Sequence, residues 1–389
     1  LGKNEEINMS LLLKNCHVIS PDCDIREAAV LVENGVIAKV STGALPADGV
    51  AREIDAQGQM VVPGFIDVHC HGRSGYDFTD AKQEAIDTIA IDKLKEGVTT
   101  LLPTTLTLPE ENLAATLETA ANYVKSGKKG CKTPGVHLEG PFINSKCAGA
   151  QNPDFVRLPD IEEVKRLNAI FPVRKVSFAV EVDGGAKFAA ALLEIGITPS
   201  CVHSAATYAE FSAGCKCGLK NLSHFCNQMT GLHHRDIGLV GAGLLDDDLF
   251  VEMICDKLHL CPDMIKLIFK VKNNSYIQII TDAMCASGMP DGEYPLGGLE
   301  VVVANGVARL KSNGALAGST AQFCDGLKNV YEITGIALKE LIKTTSWNQA
   351  QSLGLENIGK IESGYTADIV VLNNQFQPQT VIVDGEVRL

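Results

Sequence analysis

Eight short apolar runs recur between residues 65 and 281, and this regular spacing limits the folds open to the chain more than any other feature. The runs are Phe65–His69, Thr99–Pro103, Gly135–Leu138, Val176–Val180, Thr198–Val202, Asn221–Phe225, Phe250–Ile254 and Ile277–Thr281. Helix-like stretches at Ala81–Glu96, Glu110–Lys125, Asp160–Ile170, Ala186–Ile195 and Pro262–Val271 fill most of the gaps. Strands that alternate with helices form parallel sheets, and eight such units over about 280 residues match a closed TIM-type (β/α)8 barrel. An open doubly wound sheet is the alternative, but no G-x-G-x-x-G turn follows the first run. After the eighth run, Ala286–Ala317 reads as hairpins, expected beside the mouth of the barrel, before a helix resumes over Thr320–Thr334.

The two ends of the chain have a different pattern. Leu11–Ile19, Ala28–Glu33 and Val36–Val40 are strand-like, with Asn34-Gly35 as a two-residue hairpin turn between the last two. Ala367–Leu372 and Val381–Val383 repeat the pattern, with Asp384-Gly385 as a second hairpin turn before residues 386–389. Because chain termini often lie close together, these segments can complete one sheet, a small β domain from residues 1–62 and 352–389 beside a barrel over 63–351.

The polar residues fall where the strands end. In VVPGFIDVHCHG, residues 61–72, His69 and His71 are two apart on a strand and so share a side. An H-x-H alone is a weak signal. Reading each run to its C-terminal end adds Thr104, Glu139, Glu181, His203, His224, Asp256 with His259, and Asp282. In a barrel those ends share the face that carries chemistry. Buried imidazoles and carboxylates are costly without partners, so this ring of side chains predicts a bound metal ion.

Composition narrows the partners. The chain of 389 residues is 46% hydrophobic and 21% charged, which suits a globular protein with a substantial core. A net charge of −13 with no Lys/Arg run argues against nucleic acid, and an anionic substrate needs a local basic group. Thirteen scattered cysteines without a C-x-x-C pair predict reduced thiols and a cytoplasmic location. No run approaches the ~20 apolar residues of a membrane span. The first residues lack a basic-then-apolar leader, and Met9 is read as the natural start.

Six segments in order, VVPGFIDVHCHG, GVHLEGPFI, HSAATY, HFCNQMTGLHHRDIGLVGAGL, ITDAMCASGMPDGEYPLGG and GALAGST, resemble the N-acetylglucosamine-6-phosphate deacetylases of the metal-dependent amidohydrolase superfamily. The terminal GKIESGYTADIVVL extends the likeness, and the resemblance implies a barrel with a β-sandwich built from both chain ends. The resemblance implies hydrolysis of an amino-sugar phosphate's N-acetyl group, in a homodimer that uses one or two divalent ions per chain, zinc or iron. It implies Glu139, His203 and His224 as ligands of one ion. His69 and His71 resemble the ligands of a second, with Glu139 able to bridge. Asp282 resembles the general base and acid and counts also among the metal ligands, and His259 resembles a substrate-contacting histidine. Asn227, Gln228 and Arg235 resemble phosphate- and substrate-binding positions. The alternatives are a loop-capping amide for Asn227 and a solvated charge for Arg235.

Three departures stand out. Gln151 of CAGAQNP occupies the place of a substrate-contacting histidine, and an amide donates a hydrogen bond but relays no proton. Val202 and Ala205 alter the GHSNAT pattern, and Cys255 and Lys257 alter the segment before His259. Rival readings are the galactosamine epimer, another amidohydrolase such as an N-acyl-amino-acid deacylase, and a non-catalytic scaffold that has kept the barrel.

Overall fold

A computed structural model describes residues 10–389; Met9 and the residues before it lie outside the described part. Its centre is eight parallel strands: β1 (Phe65–Cys70), β2 (Val98–Thr105), β3 (Val136–Glu139), β4 (Val173–Phe178), β5 (Thr198–Cys201), β6 (Asn221–Leu222), β7 (Phe250–Ile254) and β8 (Ile277–Ile280). They pair in sequence order. Closure comes from the residues just past β8: Asp282 N–H donates to His69 O, and His71 N–H donates to Ala283 O, each at 2.8 Å. The sheet is therefore a barrel, and the open alternative is excluded. Every residue of β2, VTTLLPTT, is buried, its β-branched threonines and valine suiting a strand covered on both faces.

A helix follows every strand, including two that the sequence pattern did not reveal, Tyr208–Lys216 and Gly238–Leu245. The second, GLVGAGLL, has six of its eight residues buried, so it has no polar face and no 3.6-residue period to read. β4 begins three residues before its apolar run because Arg174 and Lys175 interrupt the hydrophobic pattern inside the strand.

A buried charged network ties β1 to β8 below the mouth. Lys93 Nζ lies 2.9 Å from Asp67 and 2.8 Å from Glu96. Thr281 Oγ1 donates to the same Asp67 oxygen, Oδ2, at 2.6 Å. Since Asp67 precedes His69 by two residues and Thr281 precedes Asp282 by one, this network fixes the strand ends that carry both side chains.

The terminal segments form one continuous sheet. Its order is Glu386–Val387, Pro378–Val383, Ile369–Leu372, Met60–Pro63, Ser10–Ser20, Cys23–Glu33 and Val36–Thr42, with Arg52–Asp55 also pairing with Ser10–Ser20. Leu11, Val30 and Ile37 share a core with Val61, Ile369 and Ile382, so the sheet rolls over onto itself and the sandwich is built from both chain ends. The two hairpin turns meet there. Asn34-Gly35 and Asp384-Gly385 all have positive φ, and a Cβ on Gly385 would lie 2.8 Å from Gly35 Cα. The insert after β8 is a three-stranded antiparallel sheet, Gly292–Leu296, Leu299–Ala304 and Val307–Leu310, and its Leu296 reaches the barrel mouth.

Candidate metal centre

The C-terminal mouth of the barrel holds a cavity of about 310 Å3 lined by His71, Glu139, Gln151, His203, His224, Asn227, Gln228, His259 and Asp282, among others. His69 lies fully buried beneath its floor. Glu139, at the end of β3, is the hub. Its Oε1 is 3.3 Å from His69 Nε2, 3.1 Å from His224 Nε2 and 3.5 Å from His203 Nε2. Its Oε2 is 3.2 Å from His71 Nε2, which lies equally far from Asp282 Oδ1. Two overlapping triads result, His69–His71–Glu139 and Glu139–His203–His224.

Backbone conformation delivers these side chains. His203, His224 and Asp282 have φ of 43°, 31° and 49°, the left-handed region that non-glycine residues seldom adopt. Each lies two residues past its strand, where the chain turns sharply so that the side chain projects over the mouth. Such strain is held only where the surroundings enforce it, and it gathers at functional sites.

The donor set fits a divalent cation. His203 Nε2 and His224 Nε2 stand 3.2 Å apart. Two imidazole nitrogens bound to one ion at about 2.0–2.1 Å in tetrahedral geometry lie about 3.3 Å apart. His69 Nε2 and Glu139 Oε1 are buried without a hydrogen-bond partner, although both face the site. In each triad one imidazole has its outer nitrogen held: His69 Nδ1 donates to Glu252 Oε2 at 3.0 Å, and His203 Nδ1 donates to Cys147 O at 2.7 Å. A proton fixed on Nδ1 leaves the Nε2 lone pair facing inward, as a metal ligand requires.

Electrostatics agree with a site built around positive charge. Burial opposes ionisation of Glu139, but His69, His203 and His224 outweigh it and hold the carboxyl well below the usual range. Burial likewise opposes ionisation of Asp282, and His69 and His71 prevail. Burial pulls His224 down, which favours the neutral ring.

The remaining predicted residues divide. Gln151 turns both amide atoms inward: Nε2 donates to Glu139 Oε2 at 2.5 Å, and Oε1 accepts from Thr107 N–H at 2.7 Å. It braces Glu139, a role the substrate-contact expectation did not include, and retains one N–H for the cavity. His259 Nδ1 is anchored to Asp256 at 2.7 Å. Asn227 lines the cavity while its amide caps the turn, donating to His224 O and Phe225 O. Arg235 does not reach the cavity; it is exposed on the rim loop with Nη1 2.9 Å from His234 Nε2. Glu181 holds loops, accepting from Asn144, Ser204 and Ala205 N–H.

Residues 244–388 match the model of the Amidohydrolase family. An N-acetylglucosamine-6-phosphate deacetylase of Lysinibacillus sphaericus is 34% identical over 383 residues, 98% of each chain. The chain belongs to the N-acetylglucosamine-6-phosphate deacetylase family. Also 34% identical, over 97% of this chain and 99% of the relative, is an N-acetylgalactosamine-6-phosphate deacetylase of Escherichia coli O157:H7. Among solved structures, the N-acetylglucosamine-6-phosphate deacetylase of Thermotoga maritima superimposes with a TM-score of 0.88 at 34% identity, covering 97% of this chain and 99% of its own. A mutant of the Mycobacterium smegmatis deacetylase, in complex with N-acetyl-D-glucosamine-6-phosphate, reaches 0.90 at 30% identity, with 98% and 99% covered.

Sequence reasoning passed over Glu252 and Lys175, buried charges inside β7 and β4. The available signal was a lone acid in FVEMI and the adjacent bases Arg174 and Lys175 in VRKVSF, each within a strand that otherwise reads as core.

Proposed function

We propose that this chain hydrolyses the N-acetyl group of N-acetylglucosamine 6-phosphate to give acetate and glucosamine 6-phosphate. The observation that carries the reading is Glu139 faced by four imidazole nitrogens, with Asp282 beside them, in one cavity. Glu139, His203 and His224 would hold one divalent ion, and His69 and His71 with Glu139 a second; the donors suit zinc or iron. When bound, such an ion polarises a carbonyl and brings the pKa of water to about 7.

The chain's own groups then handle the protons. Asp282 accepts one from water as the new C–O bond forms at the acetyl carbon. The same carboxyl returns it to the sugar nitrogen as the C–N bond breaks, so the amine leaves neutral; the acetic acid left behind gives up water's second proton to solvent and departs as acetate. His259, fixed through Nδ1 by Asp256, presents Nε2 to the cavity. Donation from that atom to the carbonyl oxygen requires a ring with both nitrogens protonated, with Asp256 balancing the charge. Gln151 keeps Glu139 in place throughout. The phosphate falls to Asn227, Gln228 and the rim loop, from which Arg235 must swing inward to meet it, its planar guanidinium matching two phosphate oxygens.

The equal identity to the E. coli relative favours a second reading, N-acetylgalactosamine 6-phosphate as substrate. Acetate release measured with both sugars on metal-replete protein, with and without chelator, tests both. The larger kcat/KM names the epimer, and no chelator-sensitive release from either sinks the reading. We also assign the protein to the cytoplasm, in keeping with thirteen free cysteines, and a homodimeric assembly from the family resemblance. Among the described residues no helix is long and apolar enough to cross a membrane.

A further inference from the structure

The layer directly beneath the cavity holds a buried ionic pair that the reaction does not use. Glu252 on β7 and Lys175 on β4 are 1% and 2% exposed, and their side chains meet inside the barrel. Glu252 Oε1 takes Lys175 Nζ, while Oε2 accepts from His69 Nδ1 at 3.0 Å. The sequence Lys175–Glu252–His69–Glu139 therefore runs from the barrel core to the hub of the site.

Nothing in packing alone calls for this pair. Two charges withdrawn from water cost several kcal/mol each, and apolar residues of similar volume often serve stability as well or better. What an apolar pair cannot provide is an acceptor for His69 Nδ1–H. The four histidines differ in this respect. His71 Nδ1 and His224 Nδ1 have no hydrogen-bond partner, whereas His69 and His203 each have one. The His203 acceptor is a backbone carbonyl, independent of any side chain. The His69 acceptor is a side chain whose own position is set by its contact with Lys175.

We propose that Lys175 and Glu252 are positioning residues that decide whether the His69–His71 side of the site holds an ion. Glu252 fixes the His69 tautomer and ring orientation, and Lys175 holds Glu252 aimed at it. The Glu139–His203–His224 side does not depend on them. This inference rests on the metal reading above and extends it to occupancy of the second position.

The test compares two double variants that both remove the buried charges. Lys175→Met with Glu252→Gln retains an amide oxygen to accept from His69. Lys175→Met with Glu252→Leu retains none. Protein equilibrated with zinc is assayed for bound metal per chain by mass spectrometry, and for stepwise affinity against a chromophoric chelator. The Gln variant is expected to hold two ions within about tenfold of the original affinity. The Leu variant should keep one ion at the original affinity and bind the second 10–100-fold more weakly. Two ions held by the Leu variant with unchanged affinity overturn the proposal, as does equal weakening of both ions. An unaltered protein that binds no zinc instead overturns the metal reading, and this inference with it. Should the Leu variant fail to fold, long-range 15N NMR of the metal-free parent decides: a protonated, hydrogen-bonded His69 Nδ1 supports the proposal, and an unprotonated one overturns it.

Discussion

Gln151→Leu is the substitution whose effect the structure specifies most fully. The side chain is 5% exposed and spans two fixed groups, the Glu139 carboxylate at 2.5 Å and the Thr107 N–H at 2.7 Å. Leucine fills nearly the same space but serves neither. A hydrogen bond to a charged group contributes about 1.5–3 kcal/mol, and a buried N–H left without an acceptor costs about 1–3 kcal/mol. Allowing for relaxation around the new side chain, the folded state should lose about 3–5 kcal/mol. At about 2.1 cal/mol/K per residue, the unfolding entropy of 389 residues is roughly 0.8 kcal/mol/K. The melting temperature of metal-free protein should therefore fall by about 4–6 °C. Glu139, released from its brace, should also bind metal about 10–100-fold more weakly. Calorimetry on chelator-treated protein and competition with a chromophoric chelator measure the two effects separately. A shift below about 1 °C with unchanged metal affinity would refute the idea that Gln151 holds Glu139.

Asp282→Asn should lower kcat by about 10²–10⁴ with little change in KM, while metal content stays constant; parallel loss of metal would assign Asp282 to holding the ion instead. Asp256→Asn unfastens His259. Burial opposes ionisation of the Asp256 carboxyl, yet the hydrogen bond and charge of His259, with the backbone N–H groups of His259 and Leu258, together outweigh it and hold the group below its usual range. The stability it contributes is present above the unfolded value of about 3.9 and lost as pH falls through the lower folded value. Denaturation curves of the parent and Asp256→Asn should accordingly differ at pH 6, still differ near pH 4, and draw together only as pH falls on through the lowered folded value. Arg235→Ala should raise KM for the phosphorylated sugar and leave an unphosphorylated N-acetyl sugar unaffected; equal kinetics on both would return Arg235 to a solvated surface charge.

The alternation of apolar runs pointed to eight parallel strands and favoured the barrel, because strands buried on both faces are rich in apolar residues and their number suits closure; the closing hydrogen bonds past β8 excluded the open sheet. It also placed His69, Glu139, His203, His224 and Asp282 at strand ends, and ends of parallel strands share one face whatever the loops do. The paired hairpin turns at Asn34-Gly35 and Asp384-Gly385 likewise announced strands at both termini. What the tertiary structure decided was the partner of each group. Gln151 is twelve residues from Glu139 and Glu252 is 183 from His69, and no local pattern connects them. Lys175 and Glu252 were visible only as charges that interrupt apolar strands, because a buried charge has meaning only through the group it meets. The exposed position of Arg235 was equally undetermined, since a loop residue's reach is set by loop conformation rather than by spacing. Periodicity fixes which way a strand residue points, whereas contact across the barrel depends on which distant strand ends are brought together, and only closure of the sheet settles that.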